Sequence, residues 1–285
     1  MIERLCIIGV GLIGGSLARA LREAAYVKDI VGCSRSAEHL QKAVDLGVID
    51  RYDTDARKAV QDADMVFLSV PLGAMATVFE TIKDALADTA VVTDGGSAKA
   101  SVVEAVKQSV GRMPEWFVPG HPIAGTEQSG VEASFADLYK GRRIILTPTG
   151  ETDAEAVKKV RAMWEAAGAS VNEMDVEHHD EVLAATSHLP HMLAFALVES
   201  LARMSEQREI FEYAAGGFRD FTRIASSDPV MWRDICVANR DALLAVVDNF
   251  RNDLDDLSSA IRDQDAARIL KIFQDAKAAR DAFSG

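Results

Sequence analysis

The stretch Gly9-Val-Gly11-Leu-Ile-Gly14 decides the fold of this chain, because it lies between an apolar run at residues 5–8 and a helical pattern at residues 16–23. Glycines at a strand-to-helix turn let the backbone approach a phosphate, and the N-terminus of the helix stabilises its negative charge. In this setting the spacing predicts a Rossmann-type nucleotide-binding unit. Leu12 and Ile13, inside the turn, are predicted to contact the cofactor together with the glycines.

Short apolar runs bounded by turns alternate with amphipathic segments up to about residue 175, which is typical of a parallel sheet wound with crossover helices. The predicted strands are residues 5–8, 30–33, 65–70, 90–93, 117–119 and 144–147. After residue 175 the strand signal disappears and helical periodicity continues. The sequence therefore predicts an α/β fold, with a Rossmann-type parallel-sheet domain over residues 1–175 and an all-α dimerisation domain over residues 176–285.

The helical half contains an apolar seam with spacings of four and three residues. Its members are Leu243, Val247, Phe250, Leu254, Leu257 and Ile261. Such a helix needs a long apolar partner, and either an intramolecular helix or a second subunit provides one. A helical homodimer is attractive for so short a domain. Ser227-Asp228-Pro229 predicts the start of another helix, with proline in its first turn.

Composition excludes several classes of protein. The 285 residues include 48% apolar side chains, and 44 acidic against 31 basic residues give a net charge of −13, which disfavours nucleic acid as a partner. We expect no membrane span and no secretion signal, hence a cytoplasmic protein. Cys6, Cys33 and Cys236 are too few and too irregularly spaced for a disulfide framework or a zinc site, so they are predicted to be small buried residues.

The end of the second predicted strand bears on the choice of dinucleotide. NAD sites normally carry a carboxylate there, whereas this chain has Ser34, Arg35 and Ser36. Arg35 can pair with a 2′-phosphate, which favours NADP. A solvated Arg35 would leave NAD open. Val70 and Pro71, at the end of the third predicted strand, are also assigned to the cofactor site.

Two turns supply candidate catalytic groups. His121 stands just past a strand end in the segment at residues 120–127, so it is predicted to be catalytic, with Thr126 and Glu127 contacting the substrate. Ser97 follows the preceding strand and is predicted to contact the substrate through its hydroxyl, the alternative being a helix cap. Lysines in the first turn after a cap are often solvated, so Lys99 receives no role.

Arg219 and Arg223 face the same way on a helical turn, where two guanidiniums repel each other unless an anion lies between them. We therefore predict capture of a substrate carboxylate by Arg219, with Arg223 beside it. His188 and His191 flank Pro190 in an apolar helix, but no carboxylate or thiol lies at ligand spacing, so metal binding is disfavoured. Substrate contact and core packing both remain open for His188.

These segments together resemble the prephenate/arogenate (cyclohexadienyl) dehydrogenase family of tyrosine biosynthesis. The resemblance covers essentially the whole chain, and its most specific segments are residues 120–127, 187–191 and 217–225. It implies a Rossmann domain followed by a helical dimerisation domain, with the active site in the cleft between them. It also implies oxidative decarboxylation of a small cyclohexadienyl substrate: hydride leaves the ring carbon that bears the hydroxyl, the ring carboxylate departs as CO2, and the ring becomes aromatic.

For this reaction His121 is expected to accept the hydroxyl proton, Ser97 to hold the hydroxyl, and Arg219 to anchor a carboxylate, with no metal required. One alternative is another two-domain NADP-dependent dehydrogenase of the 3-hydroxyacid or imine reductase type. It is disfavoured because those enzymes place a lysine at the chemistry. The other is a non-catalytic dinucleotide-sensing dimer, which would have no use for these three residues together.

Overall fold

The structure, a computed structural model, describes residues 1–204 and 207–284. Its strands are β1 (Ile2–Ile8), β2 (Val27–Cys33), β3 (Arg51–Asp53), β4 (Met65–Leu68), β5 (Val91–Asp94), β6 (Phe117–Val118), β7 (Gly120–Ile123), β8 (Arg143–Leu146) and β9 (Ser170–Glu173). Its helices are α1 (Leu12–Glu23), α2 (Ala37–Asp45), α3 (Ala56–Ala59), α4 (Met75–Ile82), α5 (Ala100–Val110), α6 (Ala154–Ala166), α7 (Val176–Leu183), α8 (Leu189–Ala202), α9 (Gln207–Glu212), α10 (Gly216–Thr222), α11 (Pro229–Ala238), α12 (Arg240–Arg262) and α13 (Ala266–Ser284).

The main sheet is parallel and has the strand order β3-β2-β1-β4-β5-β6. The order reverses between β1 and β4, where Ile8 lies opposite Cys33 on one side and Leu68 on the other. In open parallel sheets, ligands bind beyond the carboxyl ends of the strands at such a reversal. The Rossmann-type prediction is therefore confirmed.

Helices cover both faces of this sheet, which explains why its central strands are almost continuously apolar. On one face Trp164 of α6 packs edge-on against Phe67 of β4, with ring centroids 5.4 Å apart. On the other face Phe79 of α4 packs against Phe117 of β6 at 5.0 Å. Cys6 and Cys33 are buried in this core as predicted, whereas Cys236, on α11, is only half-buried.

A second sheet, in the order β7-β8-β9, corrects the strand assignment. The run at residues 144–147 was expected in the parallel sheet, but β8 pairs antiparallel with β7 and parallel with β9. The chain turns at Pro119, so β7 leaves the first sheet and places His121 inside a strand rather than in a loop. Because proline is rare within sheets, Pro122 made the sequence pattern argue against a strand at β7.

Every described element after Glu173 is helical, and α11 begins as predicted, since the Asp228 carboxylate accepts hydrogen bonds from the N–H groups of Val230 and Met231. A π-helical segment, Ala184–His188, joins α7 to α8 without a break. Among the described residues, the helical run Val176–Ala202 is long and apolar enough, by length and composition, to cross a membrane. The expectation that no stretch is long and apolar enough for a membrane span does not hold for this run. Core helices of globular proteins can have the same length and composition.

By compactness the chain divides into one unit over residues 1–240 and another over residues 241–285. The second unit contains nearly all of α12, which is helical over the whole predicted seam, and α13. An ion pair between Asp256 and Arg268 links these two helices. The domain boundary near residue 175 stays a prediction.

The turn between β1 and α1 yields a stability test. A Cβ on Gly14 would lie 2.4 Å from the carbonyl oxygen of Gly9, whereas a Cβ on Gly11 would meet nothing within 4 Å. We expect Gly14→Ala to lower the free energy of unfolding by about 1–3 kcal/mol, the usual cost of overpacking. Gly11→Ala is the matched control and should leave stability nearly unchanged. Urea unfolding of both variants measures the difference, and equal midpoints would contradict the crowding.

Candidate active site

The glycine turn forms a cradle of the right shape for a dinucleotide phosphate. Gly9 has φ of +99°, and a Cβ there would lie 2.1 Å from the carbonyl oxygen of Ser69. Gly11 is the N-cap of α1 and gives the helix no side-chain cap, and a Cβ on Gly11 would meet nothing within 4 Å, so there is room for a ligand beside this helix N-terminus. Leu12 is buried and Ile13 is half-buried behind them. The predicted residues therefore fit a pyrophosphate at a helix N-terminus.

The carboxyl end of β2 leaves only Arg35 unoccupied among its polar residues. Ser36 caps α2 through the N–H of His39 at 3.2 Å, and the Ser34 hydroxyl donates to the carbonyl oxygen of Ser36 at 3.3 Å. Arg35 is exposed. Asp53, opposite Cys33 on β3, uses its carboxylate to bind the N–H of Asp55 at 2.8 Å.

Val70 and Pro71 follow β4 and lead into a short 3₁₀ turn at Leu72–Ala74. Helix α11 lies against this turn, because a Cβ on Gly73 would be 3.2 Å from Asp234 Oδ2. Helix α11, which belongs to the same compact unit as the main sheet, therefore contacts the turn that follows Val70 and Pro71 of the predicted cofactor site.

The turn after β5 is held by a buried ion pair. Lys99 Nζ lies 2.5 Å from Asp94 Oδ2 and donates to the carbonyl oxygen of Gly120 at 2.5 Å. Both side chains are fully buried, so Lys99 is not solvated, contrary to the usual behaviour of a lysine at this position. The half-buried Ser97 lies between them in the chain.

Asp180 of α7 caps the next helix. Its two carboxylate oxygens accept hydrogen bonds from the N–H groups of Lys99 at 2.7 Å and Ala100 at 2.9 Å. The alternative role of Ser97 as the cap is therefore filled by another residue, Asp180.

His121 begins a chain of three buried groups. Its Nδ1 lies 2.9 Å from Nε2 of His179, whose Nδ1 lies 2.8 Å from Asp180 Oδ1. Burial, followed by the neighbouring His179 and Lys99, holds the pKa of His121 well below its ordinary value. At neutral pH the imidazole is therefore uncharged, and Nε2 is its one nitrogen not engaged by His179.

His188 is buried on the π-helical segment. Its Nδ1 lies 3.0 Å from Asn239 Nδ2. Its Nε2 is buried without a well-formed hydrogen bond among the described residues, although the main chain of Ser97 lies close enough to act on the ring. Burial lowers the pKa of His188 to about 4. A buried ring nitrogen of this kind needs a partner, which water or a ligand can supply.

Trp232 of α11 stacks on His191 with ring centroids 3.7 Å apart, and its indole Nε1 is also buried without a partner among the described residues. Trp232 and Asn239, the C-cap of α11, lie seven residues apart and so on the same side of the helix. This spacing is the one feature from which the sequence could have indicated that both belong to the site. His179 and Asp180 lacked even this signal, because their partners lie 58 and 81 residues away.

The predicted anion-binding residues divide into two groups. Arg223 forms an ion pair with Glu127, which places both on one side of the first compact unit. Arg219 and Thr126 are exposed. Both arginines are exposed, and Arg223 differs from Arg219 in that its guanidinium is already paired with Glu127. Among the described residues, no group of three His, Cys, Asp or Glu side chains is arranged to hold a metal ion.

Comparisons with known proteins identify the family. Residues 17–173 match the family model "Prephenate dehydrogenase, nucleotide-binding domain", and residues 175–275 match "Prephenate dehydrogenase, dimerization domain". Cyclohexadienyl dehydrogenase of Zymomonas mobilis is 40% identical, covering 98% of this chain and 95% of its own. Prephenate dehydrogenase from Aquifex aeolicus, solved with hydroxyphenyl propionate and NAD+, is 39% identical with a TM-score of 0.92 over 99% of both chains. Synechocystis arogenate dehydrogenase is 30% identical with a TM-score of 0.82, covering 99% of this chain and 100% of its own.

The buried histidines predict acid sensitivity. A folded-state pKa of about 4 for His188, against 6.5 when exposed, stabilises the fold fully above pH 6.5, and this contribution is lost as the pH falls toward 4. The loss for this one group is on the order of 3 kcal/mol. We expect urea unfolding at about pH 7 and pH 4.5 to show a smaller pH dependence in His188→Gln than in the unmodified protein. The exposed His178 on the neighbouring helix is the control, and equal pH dependence in all three proteins would contradict the assignment.

Proposed function

This chain belongs to the prephenate dehydrogenase family, and we propose that His121 and Ser97 carry the family's reaction in it. The protein is an NAD(P)-dependent oxidoreductase that oxidatively decarboxylates prephenate, arogenate or both in tyrosine biosynthesis. The observation that carries the residue assignment is the state of His121: buried, neutral, bonded through Nδ1, and next in space to the turn that bears Ser97.

The neutral imidazole accepts the proton of the substrate's ring hydroxyl, a general-base contribution worth about 10²- to 10⁴-fold in rate. Ser97, whose hydroxyl is not used as a helix cap, holds the same ring hydroxyl in position. The nicotinamide, when bound, accepts the hydride from the carbon that bears this hydroxyl. Loss of the ring carboxylate as CO2 then leaves an aromatic ring, which is a strong driving force that needs no metal.

Arg219 anchors a substrate carboxylate, and the Nε2 of His188 offers a second polar contact. Support for Arg219 comes from its exposed guanidinium, whereas that of Arg223 is already paired with Glu127. Arg223, Glu127 and Thr126 border the substrate as a polar rim. A substrate that carries two carboxylates and no positively charged group suits a site bordered by two arginines.

The preferred dinucleotide is NADP. Arg35 is exposed at the end of β2, and the carboxylate of Asp53 accepts a hydrogen bond from its own loop, so among the described residues there the guanidinium of Arg35 is available to a 2′-phosphate. The glycines at positions 9, 11 and 14, with Leu12 and Ile13, bind the pyrophosphate. Ser34, Ser36, Val70 and Pro71 border the adenosine and nicotinamide ends.

A cytoplasmic homodimer is the form we propose for the protein. The family model over residues 175–275 is a dimerisation domain, and Leu254 and Ile261 of the α12 seam are 49% and 57% exposed in the single chain. Apolar side chains repeated along a helix and left open to water favour burial against a second copy. A cytoplasmic location fits an enzyme that consumes NAD(P).

The test is a steady-state assay of nicotinamide reduction that crosses prephenate and arogenate with NAD and NADP. We expect reduction in at least one combination, with one CO2 released per nicotinamide reduced. His121→Asn should lose about 10²- to 10⁴-fold in kcat while its dissociation constant for the cofactor stays unchanged. Absence of reduction in every combination, with cofactor binding intact, would refute the proposed activity.

Arg35→Ala tests the choice of dinucleotide. Removing a charge-assisted hydrogen bond to a 2′-phosphate costs about 1.5–3 kcal/mol, so kcat/KM with NADP should fall roughly 10- to 100-fold while kcat/KM with NAD is unchanged. Arg112→Ala removes an exposed arginine between α5 and β6, at the opposite edge of the sheet, and serves as the control. Equal losses with both dinucleotides would remove Arg35 from phosphate recognition.

A further inference from the structure

We propose that Asp180 fixes opposite tautomers of two histidines in the site: His121 presents an unprotonated Nε2 and His188 presents a protonated Nε2. The carboxylate of Asp180 acts through His179, and its main-chain carbonyl acts through Asn239. These residues are positioning residues, because neither His179 nor Asn239 is placed against the substrate. The functional consequence rests on the proposed role of His121, whereas the tautomers themselves do not.

The first branch follows from hydrogen-bond polarity. A carboxylate only accepts, so His179 must donate to Asp180 Oδ1 from Nδ1, across 2.8 Å. A neutral imidazole has one N–H, so Nε2 of His179 is then an acceptor. His121, 2.9 Å away, must donate to it from Nδ1. Its own N–H is thereby used, and Nε2 keeps a free lone pair.

The second branch starts from the carbonyl oxygen of Asp180, which also only accepts. Asn239 Nδ2 donates one hydrogen to it at 2.8 Å, which sets the orientation of the amide group. The second hydrogen of the same nitrogen points to His188 Nδ1 at 3.0 Å. That nitrogen must accept, so a neutral His188 carries its proton on Nε2, the atom that makes no well-formed hydrogen bond among the described residues.

His121, His188 and His179 are all neutral, because burial lowers the pKa of each ring. The groups that face His121 are His179, Lys99 and His188, and burial with these neighbours lowers its pKa. His179 faces Lys99, Asp180 and Asp94, and burial again lowers its pKa. A charged His179 would instead donate from both nitrogens and force the proton of His121 onto Nε2.

The site therefore has one defined proton acceptor, Nε2 of His121, and one defined hydrogen-bond donor, Nε2 of His188. His121 can take the proton of a hydroxyl only if Nε2 is unprotonated before substrate arrives. His188 can hydrogen-bond a carboxylate or keto oxygen only if its Nε2 is protonated. Without the two branches each imidazole would divide between its tautomers, and part of the enzyme would be unproductive at any moment.

The direct test is two-dimensional ¹H–¹⁵N NMR of histidine side chains in the full-length protein near neutral pH, with signals assigned by His121→Asn and His188→Gln. We expect the His121 pattern of a ring protonated on Nδ1 and the His188 pattern of a ring protonated on Nε2. Either ring in the reverse tautomer, or in the charged form, would overturn the proposal. This readout does not depend on turnover, so it separates a failure of the tautomer assignment from a failure of the proposed activity.

Kinetics of His179 variants provide the second test. Glutamine keeps an oxygen that can accept from His121 Nδ1, whereas leucine of similar size keeps none. We expect His179→Leu to lose about 10²- to 10⁴-fold in kcat with KM unchanged, and His179→Gln to stay within about tenfold of the unmodified enzyme. Equal activity of the two variants would show that His179 only fills space, and would overturn the first branch.

Asn239→Leu tests the second branch separately. It removes both donors while preserving approximate volume, so the His188 signals should change to a mixture of tautomers and the His121 signals should not. We expect KM for the substrate to rise with kcat nearly unchanged, since His188 contributes binding rather than proton transfer. His188 signals that keep the Nε2-protonated pattern would overturn this branch.

Discussion

The buried ion pair between Lys99 and Asp94 is the interaction on which the site depends. Asp94 ends β5 and also binds the N–H groups of Gly96 and Gly120, while Lys99 reaches the carbonyl oxygen of Gly120. One charge pair thus joins the end of the main sheet, the turn that bears Ser97, and the first residue of β7, which precedes His121. Loss of either partner from such a pair leaves an uncompensated buried charge, typically at a cost of 3–5 kcal/mol.

The same pair contributes to the chemistry through its field. The Lys99 ammonium lies close enough to His121 and His179 to lower the pKa of both rings, and burial acts in the same direction. Asp180 opposes this effect at His179, where it accepts a hydrogen bond. Burial and the nearby Lys99 ammonium therefore keep His121 unprotonated, so that it can accept a proton. The Asp180 carboxylate, which reaches His121 through His179, stabilises the positive charge that then develops.

The sequence could predict those parts that depend on local pattern. The glycine turn, the core strands, the Asp228 cap and helix α12 all follow from spacing within about 20 residues, and the structure confirms them. Candidate site residues could be proposed from sequence only where a polar residue follows an apolar run, as with Ser97 and His121, and their roles stay predictions. His179 and Asp180 could not be assigned, because their contacts span 58 and 81 residues of chain. Lys99 could not be assigned either, because its contacts with Asp94 and Gly120 depend on a complete burial that the local sequence does not indicate. The short strands β3, β7 and β9 were not predicted for a similar reason: they are strands because they pair with neighbouring strands, and their composition alone does not indicate it.

The π-helical segment at Ala184–His188 restricts how this protein can change its length. A π turn holds one more residue than an α turn, so it behaves as a single-residue insertion kept within a helix. The bulge absorbs that residue, so the helices on its two sides keep the rotational phase of one regular helix. Deleting one residue within the segment would close the bulge and move His188, which the segment carries, away from Asn239. Deleting one residue in the regular turn between Asp180 and the segment would instead rotate His188 by about 100° relative to Asp180. The number of residues between Asp180 and His188 is therefore constrained by the two hydrogen bonds of Asn239.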